Sequence, residues 1–201
     1  MSSREAMVDE NFHVAISEIS NSGERAQEHR RALGLKTEDQ DFGYVLTDLV
    51  LDDIDQARKT GSGGQMCNYV LITNGDNLYS RNFFEATRPL RQQATSLIGV
   101  FMVSHHEWPA SSSVIERAGR DVLMRSSFKV EAVDLGAVLW KFSATFGAHS
   151  DLRFSLNRNM KDHANDVPKS FWTADGNTIQ SAVKKKGTTY SVVPRVLFVH
   201  Q

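Results

Sequence analysis

Several features that would place a protein in a specialised class are scarce in this sequence. It contains one cysteine, Cys67, so the chain alone can form neither an intrachain disulfide nor a zinc cluster built from cysteines. Lys and Arg number 23 against 24 Asp and Glu, and the net charge of −1 provides no strong attraction for nucleic acid or for an anionic membrane. No run of about 18 consecutive apolar residues occurs, so no membrane span is predicted. We therefore expect a soluble chain without nucleic-acid partners, whose function has to be inferred from local sites.

The composition is that of one folded domain. A chain of 201 residues with 40% hydrophobic content can bury one core, which predicts a single domain over residues 1–201. The first 20 residues carry Arg4, Glu5, Asp9 and Glu10 among apolar residues, a pattern that is not typical of a signal peptide. No internal repeat or low-complexity tract interrupts the chain.

The hydrophobic periodicity predicts alternating strands and helices. Four segments have helical spacing or end at a capping glycine, and five have the apolar or alternating pattern of strands. The strand at 69–73 is almost continuously apolar, which is typical of a central strand buried on both faces, and the polar segment at 105–120 is predicted to be a loop. The predicted helices are 24–33, 45–57, 80–93 and 178–186, and the predicted strands are 12–19, 69–73, 97–103, 130–142 and 190–199. This order predicts an α/β fold with a mostly parallel central sheet flanked by helices.

A polar loop follows the strand at 69–73. In such a sheet, ligands bind beyond the carboxyl ends of the strands, which is where Asn74, Gly75, Asp76 and Asn77 are expected to lie. Carboxylate and amide oxygens on a tight loop can coordinate one hard cation, which in turn can neutralise a diphosphate. The same residues are also common in ordinary turns, so a turn and a metal loop are both consistent with this segment.

Four motifs, whose order along the chain also matches the family, resemble segments of glycosyltransferases with the GT-A fold. "YVLITNGDNLYSRNFF" resembles their strand, acidic metal loop and following helix, with Asn74-Gly75-Asp76 at the place of the DxD motif. "DFGYVLTDL" resembles the segment that lines the donor sugar, "VDLGAVLW" the strand beside the acceptor, and "ADGNTIQSAV" with "VLFVHQ" the closing helix and strand. The resemblance extends from about residue 42 to residue 201 and implies a GT-A-like, Rossmann-like fold.

The resemblance also implies a function and a set of ligands. It implies transfer of a sugar from a nucleotide-diphosphate sugar, such as a UDP-sugar, to a glycan, protein or lipid acceptor. Asp76, Asn74 and His200 are the implied metal ligands, with Asn77 assisting. Imidazole nitrogen beside carboxylate and phosphate oxygens suits Mn²⁺ better than Ca²⁺, and Mg²⁺ is the second expectation.

Three further aspartates are candidates for contacts with the donor or the acceptor, Asp175 and Asp48 because they match positions of the family, and each has an ordinary structural alternative. Asp175 is the candidate catalytic carboxylate, and a helix N-cap is its alternative. Asp48 is a candidate donor contact or part of a solvated helix face, and Asp134 is a candidate sugar contact or part of a bulge beside Gly136. For His200 the alternative is a terminal strand histidine without a ligand.

Two other functions compete with glycosyl transfer. The segment at 12–19 is a poor version of the family's first strand, as expected of a chain that lacks an N-terminal segment. A catalytically silent module that binds a nucleotide sugar or glycan is therefore the alternative. A sugar-phosphate nucleotidyltransferase is the third hypothesis, but the glycine-rich, basic loop that it requires does not occur near residues 19–23.

Overall fold

The computed structural model describes nine parts of the chain: residues 23–36, 41–61, 67–73, 76–105, 113–130, 132–147, 150, 152–157 and 174–201. The α-helices in these parts are α1 (Glu24–Ala32), α2 (Tyr44–Thr60), α3 (Phe83–Gln92), α4 (Phe142–Thr145) and α5 (Ala174–Lys184). The strands are β1 (Tyr69–Leu71), β2 (Leu78–Tyr79), β3 (Leu97–Ser104), β4 (Val114–Ala118), β5 (Asp121–Met124), β6 (Val138–Lys141) and β7 (Tyr190–His200). A short 3-10 helix, Leu135–Ala137, leads into β6.

The strands form one mixed sheet around β3. One edge of β3 pairs antiparallel with β6 at its first residues and with β5 at its last, while the other edge pairs with β7. Hydrogen-bonded neighbours follow the path β1-β6-β3-β5-β4, in which β6 and β5 share one edge of β3. On the other side, β2 pairs antiparallel with β7. Among the described strands, β3 and β7 are the only parallel neighbours. The sequence-based prediction of a mostly parallel, Rossmann-like sheet of the GT-A type is therefore wrong.

Two features of the chain explain this error. β1 and β3 flank α3 and run in the same direction, as a strand-helix-strand unit predicts, but β6 inserts between them and pairs antiparallel with both. In addition, Gly119 has a φ of 64° and lies in the turn that joins β4 to β5 as an antiparallel hairpin. The hairpin begins within the segment that we predicted to be a loop.

Most of the individual elements agree with their predictions. α1, α2, α3, α5, β3 and β7 confirm the corresponding helices and strands, with ends that differ by up to four residues. β1 is an exception, because it is an edge strand of three half-buried residues and not a central one. The predicted strand at 12–19 lies outside the described residues. No helix in the described parts is long and apolar enough to cross a membrane.

The core lies where α2, α3 and α5 pack on the sheet. β3 is almost continuously buried, which explains why its sequence is apolar at nearly every position and does not alternate. An aromatic cluster beside it consists of Trp140, Phe142, Phe146 and Phe154, all fully buried. Burial of each such ring contributes roughly 2 to 3 kcal/mol of hydrophobic free energy. This core holds the ends of β3, β6 and β7 in fixed relative positions.

Candidate functional site

His200 is the last residue of β7 and lies beside the end of β3. The parallel register pairs it with Ser104, and the His105 amide donates a hydrogen bond to the carbonyl oxygen of His200 at 3.1 Å. The Ser104 Oγ lies 3.2 Å from the His200 Nδ1, and the Ser104 side chain is fully buried. The main chain and one ring nitrogen of His200 are therefore both held by β3.

Asp134 faces the other ring nitrogen of His200. Its Oδ2 lies 3.6 Å from the His200 Nε2, a separation too long for a hydrogen bond. Its Oδ1 accepts a hydrogen bond of 2.7 Å from the Gly136 amide, which fixes the carboxylate at the start of the 3-10 helix. The Asp134 and His200 side chains are 18% and 19% exposed, so both remain accessible to a ligand.

Gly136 is tightly enclosed beneath Asp134. The Tyr79 hydroxyl donates a hydrogen bond of 3.0 Å to the Gly136 carbonyl oxygen. A Cβ at position 136 would lie 2.7 Å from the Phe198 ring, closer than such contacts allow. Glycine is thus required for the close approach of this turn to β7.

The Gly136→Ala variant should be destabilised by about 2 kcal/mol, because the added methyl group overpacks a buried site. Chemical denaturation of the variant and of the wild type measures this loss. In a Phe198→Leu background, where the ring is absent, the same substitution should cost clearly less. An equal loss in both backgrounds would contradict the enclosure by Phe198.

Asp76 lies close enough to Asp134 for its charge to influence the pKa of Asp134. Burial raises the pKa of Asp134, while His200 and the Gly136 amide lower it and the carboxylate of Asp76 raises it further. Asp76 itself is exposed and lies two residues before β2, which pairs with the end of β7. The Asn77 Oδ1 accepts a hydrogen bond of 3.4 Å from the Gln201 amide, so this loop is tied to the residue after His200. Asn74 and Gly75 lie outside the described residues.

Asp175 lies in the first turn of α5, near Asp134. Its Oδ1 accepts a hydrogen bond of 2.7 Å from the Gly176 amide. Burial raises the pKa of Asp175 to about 7, and the nearby Asp134 carboxylate contributes to the increase. We refer to Asp76, Asp134, Asp175 and His200 together as the acidic cluster. The four residues come from four separate segments of the chain.

The pKa of Asp175 predicts a specific dependence of stability on pH. In the unfolded chain the carboxyl titrates near pH 4, whereas in the folded protein it retains its proton up to about pH 7. The folded state therefore binds more protons between these values, and its stability falls as the pH rises through this window. Asp175→Asn removes this titration. The stability of the variant relative to the wild type should therefore increase by about 2 kcal/mol when the pH is raised from about 4 to about 8, a value that allows for partial solvation.

Urea denaturation at both pH values tests this prediction. Asp53→Asn is the matched control, because Asp53 is an exposed aspartate of α2. The gain should occur for Asp175→Asn alone. A stability difference from wild type that does not change with pH would show that Asp175 is solvated in the folded protein.

Tyr44, which the sequence analysis did not single out, connects Asp175 to the core. The Asp175 amide hydrogen-bonds to the Tyr44 hydroxyl, and burial together with the carboxylates of Asp175 and Asp134 raises the pKa of this phenol. The Tyr44 ring stacks on Phe154 with centroids 5.5 Å apart. In the sequence, Tyr44 could have been noticed because it lies in "DFGYVLTDL", a motif of the resemblance, directly before a predicted helix.

Asp48 lies on α2 in a structural position. It is fully buried, and its two carboxylate oxygens accept hydrogen bonds of 2.8 Å from the amides of Phe154 and Ser155. Burial raises its pKa, although these hydrogen bonds lower it. The contacts assign Asp48 to holding the segment 152–157 against α2, and its burial shows that it does not lie on a solvated helix face.

The acidic cluster combines a potential cation ligand pair with a potential proton acceptor. Among the described residues, no three side chains of His, Cys, Asp or Glu converge closely enough to hold a metal ion by themselves. Asp134 and His200 form a pair whose separation is 3.6 Å. Adjacent ligand atoms about 2.1 Å from an octahedral Mg²⁺ lie roughly 3.0 Å apart, so the two side chains would have to close by about 0.6 Å to share one cation. Such a cation completes its coordination with phosphate oxygens and water, as is usual for Mg²⁺ in nucleotide sites.

Comparison with known proteins adds no family assignment. A scan against protein-family models found none that matches the chain, and a search of curated proteins found no significantly similar sequence. The geometry of the acidic cluster is thus the basis for inferring function.

Proposed function

We propose that this protein transfers a glycosyl group from a nucleotide-diphosphate sugar, such as a UDP-sugar, to a hydroxyl group of a glycan, protein or lipid acceptor. The observation that carries the proposal is the approach of His200 to Asp134, with the Nε2 and Oδ2 atoms 3.6 Å apart. The four sequence motifs support it as well. The sheet topology gives no support, because it is not that of the family that the motifs resemble.

Asp134 and His200 would bind Mn²⁺, or alternatively Mg²⁺, and Asp76 would add negative charge at the rim. The set of imidazole nitrogen, carboxylate and phosphate oxygens fits these cations. When bound, the cation neutralises the donor diphosphate and stabilises it as a leaving group. Asp134 and Asp76 would otherwise repel the diphosphate, so donor binding is expected to depend on the cation.

Asp175 would accept the proton of the acceptor hydroxyl. A carboxylate with a pKa of about 7 is more basic than an ordinary aspartate and is ionised to a useful extent at neutral pH. The Gly176 amide orients its Oδ1, and the stacked Tyr44 fixes the first turn of α5. Asp175 is thus the candidate base, and Tyr44 is a positioning residue.

A panel of UDP- and GDP-sugars, each with and without Mn²⁺, tests the function. Binding of a donor to the folded state should raise the melting temperature by mass action, and only when Mn²⁺ is present. Donors that stabilise the protein should then be hydrolysed slowly, or transferred when an acceptor is supplied. Stabilisation without any turnover would favour the alternative of a silent module that binds nucleotide sugars, and no stabilisation by any donor would contradict both functions.

A further inference from the structure

Ser104 is a buried polar residue at the end of an apolar strand. It ends β3, whose other residues are almost all apolar, and its side chain is fully buried. Its Oγ lies 3.2 Å from the Nδ1 of His200, and the opposite ring nitrogen, Nε2, faces Asp134. The His200 ring therefore lies between Ser104, within hydrogen-bond distance of Nδ1, and Asp134, which faces Nε2 without a direct hydrogen bond.

We propose that Ser104 is a positioning residue that sets the orientation and the tautomer of the His200 ring; the proposal rests on the cation role inferred above. A ring nitrogen can bind a cation only through its lone pair, so a ligating Nε2 requires the proton to be on Nδ1. The hydroxyl of Ser104 can accept a hydrogen bond from that proton. Partners of this kind orient metal-binding histidines, and their loss typically weakens metal binding by about 10- to 100-fold.

A serine hydroxyl suits this position because it can also donate. Without a cation, the Asp134 carboxylate favours a proton on Nε2, and Nδ1 then needs a donor, which the rotated Ser104 hydroxyl supplies. A cation bound at Nε2 would require the proton on Nδ1, and the Ser104 hydroxyl would then accept a hydrogen bond from it. A backbone carbonyl could only accept and would satisfy one of the two tautomers.

A double-mutant cycle with Mn²⁺ alone as the probe tests the proposal. In calorimetric titrations, Ser104→Ala should weaken Mn²⁺ binding by about 10-fold or more in the wild-type background and have no further effect in a His200→Ala background. Ser126→Ala is the matched control, because Ser126 is another buried serine of the sheet whose hydroxyl donates to the Val100 carbonyl oxygen. It should leave Mn²⁺ affinity unchanged. Equal effects of Ser104→Ala in both backgrounds would overturn the proposal.

A second readout does not need the metal. In ¹⁵N NMR spectra of the cation-free protein, the His200 Nδ1 resonance should shift on Ser104→Ala and stay in place on Ser126→Ala. An unchanged Nδ1 resonance would overturn the role of Ser104. If the wild type binds no Mn²⁺, the proposed cation chemistry fails, while this resonance still decides whether Ser104 controls the ring.

Discussion

Asp134→Asn is expected to abolish the effect of Mn²⁺ on nucleotide binding. The substitution preserves the shape of the side chain and an oxygen that can accept from the Gly136 amide, so the turn should remain intact. It removes the charge that faces His200 Nε2 at 3.6 Å. Since an amide contributes no charge to a cation site, we expect Mn²⁺-dependent UDP affinity to fall by at least about 100-fold, more than the loss typical for partners of ligands.

Asp121→Asn is the matched control for this prediction. Asp121 is an exposed carboxylate of β5 that also faces a histidine, with 2.7 Å between its Oδ1 and the Nδ1 of His105. Calorimetric titration of both variants with UDP in the presence of Mn²⁺ should show a large loss for Asp134→Asn and little change for Asp121→Asn. Wild-type affinity in Asp134→Asn would remove Asp134 from the cation site.

The largest loss of stability is expected for Asp48→Ala. Asp48 is fully buried and accepts hydrogen bonds from the amides of Phe154 and Ser155. Without it, two buried amides lose their partner, and each costs about 1 to 3 kcal/mol. We expect a decrease of about 3 kcal/mol in the free energy of unfolding, and a smaller one for Asp48→Asn, which retains one acceptor oxygen.

Asp53→Ala, on the same helix, provides the reference value. Asp53 is exposed and pairs with Arg25 on the surface, so its removal should change stability by less than about 1 kcal/mol. Urea denaturation of the three variants measures the difference. Similar losses for Asp48→Ala and Asp53→Ala would show that the segment 152–157 is not held by Asp48.

The elements that sequence predicts well are those with a strong local signal. α2 combines apolar residues at helical spacing with Gly61 as a left-handed C-cap, and β3 has an uninterrupted apolar run. Both signals act within one segment and therefore do not depend on the rest of the fold. The prediction for β1 failed because its length and its edge position depend on pairing with β6, which local sequence does not specify.

The parallel sheet was predicted from the order of the elements, and that order does not determine which strands become neighbours. β6 follows β3 by more than thirty residues along the chain and still lies between β1 and β3. The decisive factor is long-range pairing, for which sequential order provides only a tendency. The hairpin of β4 and β5 was missed because β4 is short and mostly exposed, and its sequence, VIERA, does not alternate between apolar and polar residues.

Parts of the acidic cluster could be selected from sequence because charged residues next to strand ends are conspicuous. Asp76, Asp134, Asp175 and His200 were all candidates, although the approach of Asp134 to His200 was not anticipated. Ser104 and Tyr44 were missed, because a serine that ends an apolar strand and a tyrosine that begins a helix have no chemical signature until the fold places them beside His200 and Asp175.

The cation dependence of UDP binding by the wild-type protein tests the central claim most directly. Calorimetric titration with UDP in the presence of Mn²⁺, and again after removal of divalent cations with a chelator, compares the two affinities. We predict that UDP binds at least about 100-fold more tightly with Mn²⁺, because the carboxylates of the acidic cluster repel the diphosphate when no cation is present. Equal affinity under the two conditions, or no binding of UDP under either, would contradict the proposed glycosyl-transfer site.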